Sequence, residues 1–189
     1  MKVEKTSISG PLIIYPDVFE DPRGYFYESY NADKFKEMGI IESFNQSNHS
    51  KSVKGTLRGL HFQVSPGQSK LVRVIRGSVW DVAVDIRPSS KTFGKWHAVE
   101  LNEENRMIYY VPVGFAHGFC VLSETTEFLY KVSSVYNPKT ESGIAWDDPD
   151  INIEWPIKSP LLSERDMKNQ SLKEFLKKVQ DNPSGINWK

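Results

Sequence analysis

The feature that most constrains the fold is a β-pattern that continues from residue 70 to residue 135 without a helical signal. Apolar and smaller or acidic side chains alternate from Trp80 to Ile86, and Pro88-Ser89-Ser90 and Pro112-Val113-Gly114 break the pattern. Short strands separated by turn-forming residues are typical of an antiparallel sandwich or barrel. We therefore expect an all-β fold with further strands at residues 96–101, 107–111, 119–122 and 127–135.

Only two segments carry helical signals, and both predict short peripheral helices. Asn31 is suited to cap a helix that Gly39 would end in a left-handed conformation. Ser171 and Glu174 form a capping box ahead of apolar residues at helical spacing, so a second helix should pack on the outside. A chain of 189 residues is of ordinary size for one domain, and we expect residues 1–189 to form a single domain.

Composition narrows the range of functions. Twenty-four Lys and Arg balance twenty-four Asp and Glu, which argues against a nucleic-acid-binding protein. Cys120 is the only cysteine, so no intrachain disulfide is possible, which fits a reducing compartment. No apolar run reaches the length of a membrane span or a signal core. We expect a cytoplasmic protein without a membrane partner.

A local excess of positive charge stands out against this neutral background. No acidic residue occurs between Ser43 and Trp80. Such a field attracts anions, and a phosphate or diphosphate group is the expected ligand chemistry. The cations of this segment are Lys51, Lys54, Arg58, Lys70, Arg73 and Arg76.

Four histidines are candidates for chemistry: His49, His61, His97 and His117. A Pro-x-Gly-x-x-His sequence ends at His117 and resembles the second metal-binding motif of the cupin jelly rolls. The matching His-x-His pair is absent at His61, and two imidazoles fall short of the three or four ligands of a stable site. We expect no metal, with a metal-dependent cupin as the alternative.

His61 is the best candidate for a proton-transfer group, because imidazole titrates near neutral pH. The alternative is a core histidine bonded to a backbone carbonyl. Arg58 and Lys70 favour the first, since cations beside a base stabilise an enolate. Arg58 and His61 would face opposite ways on a regular strand, and Gly59 predicts a bulge that brings them together.

Motifs of other enzyme classes are missing from the sequence. Neither a Walker sequence nor Gly-x-Gly-x-x-Gly occurs, which disfavours nucleotide hydrolysis and dinucleotide-dependent redox chemistry. A Gly-x-Ser-x-Gly elbow is also absent, so serine hydrolysis has no support.

Seven segments in order closely resemble the dTDP-4-dehydrorhamnose 3,5-epimerase family. The resemblance covers nearly the whole chain and implies a metal-free, cupin-like jelly roll that needs no cofactor. It also implies inversion of C3 and C5 in a 4-keto-6-deoxyhexose carried on dTDP. The matching segments are 19–28, 46–63, 70–74, 81–85, 114–119, 130–131 and 143–149.

The resemblance implies specific catalytic roles. His61 matches the family's base, and Asp166 matches the aspartate that pairs with it. Tyr130 matches the tyrosine that returns a proton on the opposite face of the sugar, and a phenol stays protonated at neutral pH. Lys70 would polarise the C4 oxygen and stabilise the enolate.

The resemblance also implies a set of substrate contacts and a homodimer whose N-terminal segment reaches the partner's site. Arg23 and Glu28 would act across that interface. Tyr136 matches an aromatic that stacks on thymine, although packing on the sheet is an equal alternative. Arg165 stands where we expect lysine. The implied substrate-binding residues are Arg23, Glu28, Gln46, Asn48, Arg58, Lys70, His117, Tyr136, Glu141 and Arg165.

Two alternatives remain open beside double epimerisation. One is an epimerase that inverts a single carbon, or a ketoisomerase, on the same scaffold. The other is a sugar-nucleotide-binding protein that keeps the pocket without turnover.

Overall fold

Two antiparallel sheets dominate the chain, as the β-pattern predicts. The computed structural model describes residues 1–182 and 188. The strands are β1 (Lys2–Lys5), β2 (Leu12–Tyr15), β3 (Val18–Asp21), β4 (Gly24–Tyr27), β5 (Gln46–Val53), β6 (Leu57–Gln63), β7 (Lys70–Arg76), β8 (Ser78–Asp85), β9 (Trp96–Asn102), β10 (Ile108–Val111), β11 (Phe115–Val121), β12 (Thr125–Val132) and β13 (Glu141–Gly143).

The strand order places distant parts of the chain side by side. One sheet has the order β1-β2-β10-β7-β12-β5, and the other has the order β13-β6-β11-β8-β9. Strands β3 and β4 form a separate hairpin. Consecutive strands therefore often belong to different sheets, as in a jelly roll. The predicted all-β class is confirmed.

The main core lies between the two sheets, where inward-facing side chains of both meet. Tyr109 and Phe128 come from the first sheet, and Phe115 and Phe119 come from the second. Phe119 stacks on Phe128 with ring centroids 4.2 Å apart. This contact joins the two sheets beside the cavity described below.

Both predicted helices are present. Asn31 caps α1 (Ala32–Glu37) by accepting hydrogen bonds from two backbone N–H groups, and the capping box of Ser171 begins α2 (Leu172–Asp181). Helix α2 packs outside the second sheet, where Phe175 meets Phe62 at a centroid distance of 5.0 Å. No helix within residues 1–182 has the length and apolar character needed to cross a membrane.

Two predicted strand boundaries are wrong by three residues or more. Strand β11 begins at Phe115 and not at residue 119, because the stretch across Gly118 pairs continuously with β8. Strand β12 ends at Val132 and not at residue 135. There the Ser134 hydroxyl donates to the carbonyl oxygen of Gly67, which draws the chain away from the sheet.

The hairpin of β3 and β4 projects its aromatic side chains into solvent. Phe19 and Phe26 are 65% and 69% exposed. Close to its tip, Arg106 forms an ion pair with Glu20 and places its guanidinium 4.3 Å from the ring centre of Tyr25. The hairpin is thus an arm held close to its polar tip, with two exposed phenylalanines behind that tip.

Candidate active site

A cavity of about 320 Å³ opens between the two sheets. Cations, carboxylate and imidazole groups share its wall with aromatic rings, so it suits a ligand with both polar and apolar parts. The lining residues are Ser50, Arg58, His61, His117, Phe119, Phe128, Tyr130, Tyr136, Glu141 and Arg165.

His61 and Asp166 form a hydrogen-bonded pair at this cavity. The Nε2 atom of His61 lies 2.5 Å from Oδ1 of Asp166, which is 4% exposed. Burial alone would raise the pKa of Asp166, but the hydrogen bond and charge of His61 outweigh it and lower that pKa. The pair is therefore an imidazole held by an ionised carboxylate, an arrangement that stabilises imidazolium.

A bulge in β6 lets Arg58 and His61 face the same cavity. His61 pairs with His117, whereas Arg58 pairs with Phe119, so two residues of β6, Gly59 and Leu60, lie opposite one residue of β11, Gly118. Gly59 lies in this bulge with φ of +136°, and an added Cβ would lie 2.6 Å from the Cα atom of Gly118. Only glycine fits that approach. The predicted bulge is confirmed.

Lys70 lies behind the cavity wall. Its side chain is buried, and its Nζ atom donates a hydrogen bond of 3.0 Å to the carbonyl oxygen of His61. Burial lowers the pKa of Lys70 to about 8, against the opposing negative charges of Glu141 and Asp81. The ammonium form still predominates at neutral pH.

Tyr130 faces His61 from the other sheet. It lies on β12 of the first sheet, whereas His61 lies on β6 of the second, and both line the cavity. Burial raises the pKa of Tyr130, so its phenol is protonated at neutral pH. An imidazole and a protonated phenol thus line the cavity from different sheets.

His117 is paired with a carboxylate that the sequence analysis did not assign to the site. Its Nε2 atom lies 2.9 Å from Oδ1 of Asp81, which is fully buried. In the sequence, Asp81 lies between apolar residues of β8. A charged residue within a strand that is buried on both faces is the signal that could have identified Asp81 as part of the site. The contact between Asp81 and His117 arises from the pairing of β8 with β11.

The mouth of the cavity is held by polar contacts. Arg165 donates a hydrogen bond of 2.7 Å to Glu141, and Tyr136 is half exposed beside them. The backbone N–H of Tyr136 donates to Gln46, whose side chain donates to Asn48. Five predicted substrate-binding residues therefore form one connected rim.

Two predicted contacts lie elsewhere in the single chain. Arg23 is at the tip of the β3–β4 hairpin, where it pairs with Asp21 and its side chain is 89% exposed. Glu28 follows the hairpin and pairs with Lys34 at 2.9 Å. Neither residue lines the cavity of its own chain.

The two cavity histidines each have an aspartate as their partner. Across residues 1–182 and 188, no three His, Cys, Asp or Glu residues come together in a metal-binding arrangement. The other two histidines lie apart from the cavity: His49 pairs with Glu127, and His97 contacts Ser7.

The fold and the cavity together define a jelly-roll protein equipped for acid–base chemistry. A sequence model of the dTDP-4-dehydrorhamnose 3,5-epimerase family matches residues 5–174. The chain belongs to this family and is an epimerase, an enzyme of the isomerase class. The resemblance identified from the seven segments is confirmed.

Individual relatives cover nearly the whole chain. A dTDP-4-dehydrorhamnose 3,5-epimerase from Shigella flexneri is 55% identical over 90% of this chain and 95% of its own. The crystal structure of a dTDP-6-deoxy-D-glucose-3,5-epimerase from Legionella pneumophila, in complex with dTDP-4-keto-L-rhamnose, is 41% identical. It superimposes with a TM-score of 0.91 over 98% of this chain and 97% of that chain.

One relative is named for epimerisation at C3 alone. A dTDP-4-dehydrorhamnose 3-epimerase from Streptomyces niveus is 42% identical over 88% of this chain and 81% of its own. Relatives at this level of identity therefore include a 3-epimerase as well as 3,5-epimerases.

Proposed function

We propose that this epimerase converts dTDP-4-dehydro-6-deoxy-D-glucose into dTDP-4-dehydro-L-rhamnose by inverting C3 and C5, without a cofactor. The observation that carries the proposal is the placement of the His61–Asp166 pair and Tyr130 on opposite walls of one cavity. Inversion requires proton removal on one face of the sugar and delivery on the other, so opposed groups match the reaction.

His61 is the base in this mechanism. Its Nε2 atom faces Asp166, which leaves Nδ1 as the nitrogen that takes the proton from C3 or C5. The C–H bond breaks, its electron pair forms the enolate with the C4 carbonyl, and the imidazole becomes imidazolium. Ionised Asp166 favours that product, since an opposite charge within contact distance stabilises the protonated ring.

Lys70 stabilises the enolate. Its ammonium group uses one N–H on the carbonyl of His61, which leaves two N–H groups for an oxygen at C4. In a buried setting such a charge acts strongly on the negative oxygen that develops in the transition state. Lys70 lies on β7 of the first sheet, and its hydrogen bond to the His61 carbonyl ties it to β6, the strand that carries the base.

Tyr130 is the acid. Its raised pKa keeps the phenol protonated until the enolate carbon takes the proton from the opposite face. A new C–H bond forms with inverted configuration and the C4 ketone returns. Solvent then restores the proton to the phenolate and removes the proton from His61, so the enzyme ends unchanged.

The nucleotide part is proposed to occupy the polar rim. Arg58 lines the cavity, and Arg165 stands at its mouth, so both are placed to offset the charge of a diphosphate. Tyr136 offers an exposed ring for stacking on thymine. Gln46, Asn48 and Glu141 supply hydrogen-bonding groups beside it.

The active form is proposed to be a homodimer in which the β3–β4 hairpin completes the partner's site. Phe19 and Phe26 on this arm are exposed in the single chain, which favours burial against another surface. Arg23 and Glu28 lie outside their own cavity and would reach the partner's rim. The domain is proposed to be single and cytoplasmic, which a lone buried thiol at Cys120 fits.

Solvent exchange tests the proposed reaction. The enzyme and dTDP-4-dehydro-6-deoxy-D-glucose are incubated in deuterated water, and the sugar is analysed by NMR and mass spectrometry. We expect deuterium at both C3 and C5 with inverted configuration. Deuterium at neither carbon would exclude enolate chemistry, and calorimetry with dTDP would then distinguish a binding protein from an inactive preparation.

A second candidate is epimerisation at one carbon, which the Streptomyces niveus relative favours. The same experiment separates the two. Deuterium at C3 alone, with C5 unlabelled and its configuration retained, would select epimerisation at one carbon. Movement of the ketone to another carbon would select a ketoisomerase.

A further inference from the structure

Asp81 is a fully buried carboxylate behind the cavity. It projects between the sheets from β8, and its Oδ1 atom accepts the hydrogen bond from Nε2 of His117. Its other oxygen, Oδ2, has no hydrogen-bond partner among the described residues. The negative charge is therefore only partly compensated by hydrogen bonds, which makes its field strong at neighbouring groups.

The hydrogen bond to Asp81 determines the tautomer of His117. Burial raises the pKa of Asp81, and the charges of His117 and Lys70 and the hydrogen bond from His117 oppose that shift. The ionised carboxylate only accepts, so in this form the proton of the hydrogen bond lies on Nε2 of the imidazole. Burial lowers the pKa of His117, although the charge of Asp81 acts in the other direction. The ring is therefore neutral, and its Nδ1 atom is an acceptor that a hydroxyl group of a sugar in the cavity could use.

Asp81 is also one of two carboxylates whose charge favours the ammonium form of Lys70. Burial disfavours the ammonium form of Lys70, while Glu141 and, to a smaller extent, Asp81 favour it and Arg165 opposes it. Glu141 lies at the mouth and is already paired with Arg165, so solvent and that guanidinium reduce its influence. Asp81 is shielded from water, and neutral His117 adds no competing positive charge.

We propose that Asp81 is a positioning residue, which fixes His117 as the Nε2-protonated tautomer and keeps Lys70 in its ammonium form. This inference rests on the proposed function, in which His117 and Lys70 contact the substrate. Asp81 touches neither the cavity nor the sugar. It acts through His117, which lines the cavity, and through Lys70, which lies behind the cavity wall and is proposed to reach the C4 oxygen.

The test is made on the unliganded enzyme, so that its outcome does not depend on turnover. Lysine labelled with ¹³C at Cε is titrated by NMR, and the Lys70 signal is assigned with Lys70→Gln. We expect Asp81→Asn to lower the pKa of Lys70 from about 8 by roughly one unit, because the opposing charge is lost while the side-chain shape is kept.

Asp85→Asn is the matched control. Asp85 lies on the same strand and is equally buried, but its carboxylate is held by Arg87, Ser90 and Thr92. Removing its charge destabilises the fold without acting on Lys70. An unchanged Lys70 pKa in folded Asp81→Asn, or equal shifts in both variants, would overturn the proposal.

The tautomer of His117 is measured in the natural protein. A variant is needed only to assign the NMR signals. Histidine labelled with ¹⁵N gives distinct shifts for protonated and unprotonated ring nitrogens, and His117→Gln identifies the relevant signals. We expect a proton on Nε2 and none on Nδ1 at neutral pH. A proton on Nδ1, in a neutral or a charged ring, would contradict the proposal.

Activity gives an independent readout. If Lys70 acts in turnover, the alkaline limb of the kcat profile should move to lower pH in Asp81→Asn and stay in place in Asp85→Asn. A moved Lys70 pKa with an unmoved limb would uphold the role of Asp81 and count against the proposed role of Lys70. The two failures are therefore distinguishable.

Discussion

At the scale of single residues, the site consists of ionisable groups whose neighbours set their state. Asp166 is ionised against His61, Tyr130 is protonated through burial, and Lys70 remains charged in spite of burial. Each of these states is the one that the proposed step requires at neutral pH.

His61→Ala should reduce kcat by about 10³-fold, since a positioned base typically contributes 10²–10⁴. The affinity for dTDP, measured by calorimetry, should change little because His61 lies on the sugar side of the cavity in the proposed pose. The control is His49→Ala, whose exposed ring pairs with Glu127 away from the cavity. Residual activity near the natural level would place the base elsewhere.

Asp166 should link stability to pH. Its pKa is lowered in the folded state, so its contribution is fully present above the unfolded value of about 3.9 and is lost as pH falls through the folded value. The difference in unfolding free energy between the natural protein and Asp166→Asn should shrink from about pH 5 downward. Urea titrations at several pH values measure it, with exposed Asp147→Asn as the control. A difference that stays constant with pH would contradict this linkage.

At the scale of elements, the bulge in β6 is what brings Arg58 and His61 to the same cavity. Gly59→Ala would press a Cβ against the backbone of Gly118, so we expect a loss of about 1–3 kcal/mol in unfolding free energy. Gly24→Ala is the matched control, because Gly24 has a similar φ of +130° with no atom within 4 Å. Equal losses in both variants would mean that the close approach is unimportant.

Local sequence signals predicted the elements but not their partners. The caps at Asn31 and Ser171 depend on neighbours in the chain, and the structure has both. The bulge at Gly59 was predictable because glycine removes the steric barrier to it. The pairing of Asp81 with His117 follows from the register of β8 and β11, which no local pattern encodes.

At the scale of the whole molecule, the proposed exchange of hairpins makes each site depend on two chains. Arg23→Ala and His61→Ala homodimers should each have impaired activity. Mixing them through refolding should restore roughly a quarter of the natural activity, since about half of the dimers are mixed and each has one intact site. Activity no higher than the average of the parents would show that Arg23 acts within its own chain.

The central claim is that His61 and Tyr130 act on opposite faces of the same sugar, and the most direct measurement is exchange by Tyr130→Phe in deuterated water. The variant keeps the base, so it should incorporate deuterium at C3 while the recovered sugar retains its configuration. His61→Ala should incorporate none. If Tyr130→Phe inverts both carbons at the natural rate, the proton comes from another group and the account is wrong.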